Sequence, residues 1–123
     1  VWHTFNDMKG GEIYVKKIPS MKITDVATAV DSKAKQEEVG IRPGEKLHEQ
    51  MIGLEDALYT YEYPGHFKIL PSINEWSNDP ERIGTGVKVD PEFMYCSDSN
   101  KEWMQISELQ DWIMINKNKI GNI

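Results

Sequence analysis

Two residues with a clear chemical use, Arg42 and Glu45, stand in the run Val39-Gly40-Ile41-Arg42-Pro43-Gly44-Glu45-Lys46-Leu47-His48-Glu49. Val39-Gly40-Ile41 predicts a strand, Pro43-Gly44 a turn, and Glu45 to about Ile52 a short helix burying Leu47 and Met51. That order sets Arg42 at the carboxyl edge of a sheet, where open α/β folds take their ligands. The helix start then offers unpaired N–H groups and a partial positive charge to a phosphate. The planar guanidinium of Arg42 adds a charge-assisted contact of about 1.5–3 kcal/mol. Glu45, one turn beyond, is an acceptor placed to hold a pair of ribose hydroxyls. The same Arg-Pro-Gly-Glu run also makes an ordinary exposed turn, and position in a fold does not by itself establish function.

Other constellations carry less. Glu45-x-x-His48, with Glu49 beside it, has the spacing of a di-iron carboxylate pair, but such sites need a second copy and further glutamates on a bundle. The chain has three histidines, His3, His48 and His66, and no metal site is expected. Cys96 has no basic neighbour in sequence to lower its pKa and reads as an inert thiol. Lys16, Lys17 and Lys22 read as solvated, with assistance to a diphosphate as the alternative. Tyr59, Tyr61 and Tyr63 read as one packed hairpin face, with stacking on a nucleobase as the lesser use.

These residues need elements to hold them. Val1, Phe5 and Met8 follow helical spacing before a stop at Lys9-Gly10-Gly11, and a chain that starts on its own apolar stripe predicts truncation. Glu12 to Val15 reads as a strand. Thr24 is placed to cap a helix whose inner face is Val26, Ala27 and Val30. Residues 1–53 thus follow the grammar of an α/β layer. Residues 54–70 hold a β-hairpin turning at Pro64-Gly65, with Phe67 and Ile69 alternating beyond it. Residues 71–92, rich in Pro and Gly, predict a long loop. Residues 93–123 end in a helix from about Glu108, with a Ser107/Gln110 capping box and a buried stripe of Leu109, Trp112 and Ile113. The fold class is mixed α/β: a small mixed sheet, flanking helices, a hairpin and a capped C-terminal helix.

Bulk properties narrow the function classes. The 123 residues are one domain's worth of chain, and a net charge of −6 comes wholly from residues 54–123. Without a basic stripe the chain is not expected to bind nucleic acid. No apolar run approaches a membrane span, and no signal pattern opens the chain. One cysteine fits a reducing compartment, so a cytoplasmic location is expected.

The run 10–23, Gly-Gly-Glu-Ile-Tyr-Val-Lys-Lys-Ile-Pro-Ser-Met-Lys-Ile, followed by 39–49, closely resembles the inverting UDP-N-acetylglucosamine 4,6-dehydratases of the extended short-chain dehydrogenase/reductase family. Tyr95-Cys96-Ser97-Asp98-Ser99-Asn100-Lys101-Glu102-Trp103 is similar to that family's Tyr-x-Ser-x-x-Asn-x-x-Trp segment. The resemblance covers nearly the whole chain and is to the C-terminal portion only. It implies a role in surface-polysaccharide biosynthesis, with Arg42 on a UDP diphosphate and Glu45 on the ribose. Tyr95, Ser97 and Asn100 are weaker substrate-pocket candidates, against which a local turn network stands as the alternative. It further implies NADP in the full-length enzyme, bound by an N-terminal Rossmann half that also holds a Tyr-x-x-x-Lys catalytic pair. Neither motif is in this sequence. Gly84-Thr85-Gly86 lacks its third glycine, where Val89 stands, and no tyrosine is followed four residues later by lysine. No catalytic residue and no bound cofactor are therefore expected, and the chain alone is expected to be inactive. The expected partners are a UDP-sugar, the missing Rossmann half, and further copies meeting at an apolar surface lined in part by Val1, Trp2 and Phe5. The other class of reading is a stand-alone module that holds UDP-sugars, or a protein partner, without turnover.

Overall fold

Alternation of large side chains from Tyr59 to Ile69 does make a hairpin, and the rest of one compact unit is built on it. The computed structural model describes residues 2–120, with Ile120 by its backbone only. The chain divides into two units, residues 1–18 with 50–99 and residues 19–49 with 100–123.

In the first unit, α1 (Trp2–Asp7) leads to β1 (Ile13–Lys16). Later come β2 (Gln50–Ile52), α3 (Leu54–Ala57), β3 (Thr60–Tyr63) and β4 (His66–Ile69). A 3-10 segment (Ile73–Asn78), α4 (Pro80–Ile83), β5 (Val87–Lys88) and β6 (Tyr95–Cys96) complete it. Four strands form one antiparallel sheet in the order β1-β4-β3-β5. Tyr63 pairs with His66 across Pro64-Gly65, and Gly65 takes φ +86°, which glycine adopts without strain. β2 and β6 make a second, two-stranded sheet.

The pleat sorts the core. Val15, Phe67 and Ile69 pack with Ile52 on one face, with Tyr59, Phe93 and Tyr95 against them. Tyr61 and Tyr63 cluster separately with Leu70 and Ile83. The three tyrosines therefore do not share one face, because Tyr59 lies just outside β3 and joins the Phe67 side. Residues 71–92 are not a structureless loop: Asp79 caps α4, accepting from the Glu81 N–H at 3.0 Å, and β5 extends the sheet. These elements are too short for periodicity to reveal.

The second unit holds α2 (Ile23–Val30) and α5 (Ile106–Ile120), which pack together. Lys22, not Thr24, occupies the N-cap of α2, and Ala29 is its buried residue, while Val30 is largely exposed. α5 begins two residues earlier than expected. The Gln105 N–H is accepted by the Glu108 carboxylate at 2.6 Å, so the back-bonding half of a capping box sits two positions before the Ser107/Gln110 pair. Ile106, Leu109 and Ile113 are its half-buried stripe, and Trp112 points largely to solvent. Ser20 forms a parallel bridge to Trp103.

Two expected elements are absent. Residues 39–41 form no strand, and residues 45–49 form no helix; 50–52 is a strand instead. All side chains from Val30 to Met51 are exposed, Leu47 at 80%. The apolar residues there have nothing to pack on within the unit, so their β and helical preferences go unexpressed.

Candidate functional site

Arg42-Pro43-Gly44-Glu45 is a tight turn, not the junction of a strand and a helix. The Glu45 N–H donates to the Arg42 carbonyl at 3.0 Å, and Gly44 has φ +87°. Proline followed by a left-handed glycine is the signature of a type II turn. The Arg42 N–H donates to Glu45 Oε2 at 2.9 Å, and the guanidinium Nε lies 3.6 Å from Glu45 Oε1. The Arg42 side chain is 79% exposed. An ion pair this loose and solvated contributes little, so the guanidinium exchanges readily to a stronger anion. The phosphate argument therefore loses its helix N-terminus and rests on Arg42 itself.

Asn100 belongs to the same unit and is tied to its backbone. Its Nδ2 donates to Ser20 Oγ at 3.1 Å and its Oδ1 accepts from the Glu102 N–H. Its carbonyl accepts from Trp103 Nε1 at 2.9 Å. Ser20 N–H and carbonyl are in turn bonded to Glu102 and Met104. Asn100 thus holds the Pro19-Ser20-Met21 segment in register.

Tyr95 and Ser97 belong to the first unit. The Tyr95 hydroxyl accepts from the Ile18 N–H and donates to the Ile18 carbonyl, both at 2.9 Å. Its ring packs on Phe67 at 5.1 Å. This tyrosine clamps backbone. Ser97 is half-buried directly after β6.

The first unit also carries an open cleft of about 1140 Å³ that sequence reasoning missed, lined by α1, β1, the Pro64-Gly65 turn and residues 81–85. Its floor is a buried ionic network. Lys68, its side chain 6% exposed, donates to Asp7 Oδ2 at 2.7 Å and to the Arg82 carbonyl at 2.9 Å. Tyr14 donates to the same Asp7 oxygen at 2.6 Å. Arg82 is paired with buried Glu12, donates to the Gly10 carbonyl, and stacks over Trp76 at 4.1 Å. His66 lies parallel to Tyr63 at 4.8 Å, with Tyr14 and His3 against its other sides.

This network shifts its members' charges predictably. The Lys68 hydrogen bond, aided by Tyr14, holds the Asp7 carboxyl below its ordinary value. For Glu12, burial pushes upward, but the N–H groups of Glu12, Lys9 and Gly10 together with Arg82 outweigh it. Burial, then the nearby His3 and Lys68, pushes His66 downward toward its neutral form. Burial and the Asp7 carboxylate raise the Tyr14 hydroxyl, which stays protonated. No pattern in the sequence marks this cluster. Lys68 sits at the polar-face position of an alternating strand and reads as solvated until α1 and α4 are seen to cover it.

Among the described residues no group of three or more His, Cys, Asp or Glu side chains is placed to hold a metal ion. Likewise none of their helices is long and apolar enough to cross a membrane.

Comparisons with known proteins fit this picture. The chain is 42% and 43% identical, over 118 residues, to two inverting UDP-N-acetylglucosamine 4,6-dehydratases of Campylobacter jejuni, of serotypes O:23/36 and O:2. Each match takes in 92% of this chain and 35% of the relative, so the chain spans about a third of their length. The X-ray structure of Pen from Bacillus thuringiensis superposes with a TM-score of 0.73 at 22% identity, over 94% of this chain and 35% of that one, and supports the fold. A family model described as polysaccharide biosynthesis protein matches residues 1–71, more than half of the sequence. The chain belongs to the polysaccharide biosynthesis protein family.

Proposed function

We propose that this chain is the sugar-nucleotide-binding part of a UDP-N-acetylglucosamine 4,6-dehydratase-like enzyme of surface-polysaccharide biosynthesis, and is inactive by itself. The observation that carries the reading is the Arg42–Glu45 turn: a solvent-facing guanidinium, held only loosely, within a segment that matches dehydratases of that name. A UDP diphosphate takes Arg42 from Glu45, and the carboxylate so released accepts from the ribose hydroxyls. Asn100 supports the unit that carries Arg42 through backbone, at Ser20; Tyr95, bonded to Ile18, and Ser97 are weaker candidates for substrate contact. NADP and the catalytic groups come from a Rossmann half that this sequence does not contain. Without it the substrate has one wall, so binding by this chain alone is weak. The enzyme works in the cytoplasm, where nucleotide sugars are made. Copies lacking the Rossmann half associate with one another, because Trp2 and Phe5 of α1 are 82% and 68% exposed. Val1, expected beside them, lies outside the described residues.

The test is titration calorimetry with UDP-N-acetylglucosamine, together with a turnover assay in the presence of NADP. Weak or absent binding and no turnover are expected from the chain alone. Turnover by the chain alone would overturn the reading. Saturable binding that disappears in Arg42→Ala would favour a stand-alone UDP-sugar-binding module instead.

A further inference from the structure

The sheet of the first unit ends at β1, and the hydrogen-bond phase of that strand fixes which groups its free edge presents. Lys17 N–H donates to the Gly65 carbonyl. Counting back along the β1–β4 register, Val15 and Ile13 are the residues that bond inward to Phe67 and Ile69. Tyr14 and Lys16 therefore turn their N–H and carbonyl groups outward. No backbone partner for them exists among the described residues. The edge is bounded at both ends. Beyond Lys16, the Tyr95 hydroxyl occupies both the N–H and the carbonyl of Ile18. Before Tyr14, the chain bends at Gly10 and Gly11, both at positive φ, and the Glu12 carboxylate accepts from the Lys9 and Gly10 N–H groups. Two open residues remain, with two donors and two acceptors.

The geometry points to β1 as a self-complementary edge, at which two copies of this chain pair antiparallel about a two-fold axis through Val15. This proposal rests on the self-association reading above and names its surface. An isologous contact requires that residue i meet j and j meet i. With Tyr14 opposite the partner copy's Lys16, and Lys16 opposite its Tyr14, every open group on both edges is bonded. Sliding by one pairing step in one direction sets Lys16 against Lys16, two like charges, and Tyr14 against Ile18, whose groups are already taken. Sliding the other way sets Tyr14 against Tyr14 and requires the Glu12 N–H. Only the Val15-centred register pairs both Tyr14 and Lys16 on each copy without setting like charges opposite each other. It also covers an edge that otherwise stays open to indiscriminate strand pairing.

Light scattering across a concentration series, with hydrogen exchange at each concentration, tests this on the chain as it stands. Wild type and Lys16→Ala are expected at twice the 14.2 kDa chain mass at high concentration. The amides of Tyr14 and Lys16 should gain protection as the dimer forms. Lys16→Pro removes only an outward donor, a change an edge strand tolerates, and is expected to be monomeric with an unchanged circular-dichroism spectrum. A dimer that persists in Lys16→Pro, or that leaves both amides exchanging freely, would overturn the edge but leave self-association standing. A wild-type monomer would overturn both. A monomer with both amides protected would assign the edge to another strand of the same polypeptide, and so also overturn the two-fold pairing.

Discussion

Asp7 ties α1 into the ionic network of the first unit and satisfies two donors there, Lys68 and Tyr14. Removing it takes from a buried ammonium the carboxylate that pairs with it, leaving the Arg82 carbonyl and the Tyr14 and Tyr63 rings beside it. Asp7→Ala is expected to destabilise by about 1–3 kcal/mol, read from urea unfolding midpoints. Adding Lys68→Met should recover part of that loss, because no charge is then left uncompensated. If the double variant is no more stable than Asp7→Ala, the network is not what holds α1. Tyr95→Phe removes both hydrogen bonds to Ile18 while keeping the ring on Phe67, and should cost about 1–2 kcal/mol. At this scale the sequence was partly legible. Arg42 and Glu45 are adjacent in space because a Pro-Gly turn brings together residues three apart. The partners of Tyr95, Asn100 and Lys68, which are Ile18, Ser20 and Asp7, lie 61 to 80 residues away in sequence, beyond the reach of any local pattern.

Among the elements, the hairpin was readable because two signals agree: alternation on both arms, and Pro-Gly between them. Gly65 is the point where that agreement is tested. Gly65→Ala forces an L-residue to φ +86° and should lower stability by about 1–2 kcal/mol without changing the spectrum of the folded protein. The expected strand at 39–41 and helix at 45–52 failed for the opposite reason. Local preference there has no tertiary surface to confirm it, and short apolar runs are ambiguous alone. The C-terminal helix was found but shifted, since a carboxylate at Glu108 caps Gln105 as effectively as Gln110 would cap Ser107. Glu108→Ala should therefore fray the start of α5, at a cost of about 0.5–2 kcal/mol, whereas Gln110→Ala should not. Equal losses in thermal unfolding would put the cap back at Ser107.

For the whole molecule, acid is the informative variable. Asp7, Glu12 and His66 all titrate below their ordinary values of 3.8, 4.5 and 6.5 in the folded chain. In each case the unfolded chain holds more protons, so stability rises with pH across the interval between the two values. The His66 contribution is complete above its unfolded value and lost as pH falls through its folded value; the carboxylate contributions follow at lower pH. Urea midpoints should thus fall in two stages on acidification, and His66→Phe should remove the first. A single stage in wild type would show that His66 is not buried neutral. The fold class was legible from the order of short elements, but the division into two units was not, because the second is assembled from residues 19–49 and 100–123. That assembly, with its bare stretch from Val30 to Met51, has a consequence for handling the protein. A protease should find its first cleavage within that stretch, at Lys33, Lys35 or Lys46 for trypsin. The nicked chain should not fall apart at once, since Ser20 stays bonded to Glu102 and Met104 and α2 stays packed on α5. A preparation can therefore run as a single species under native conditions and as two bands once denatured.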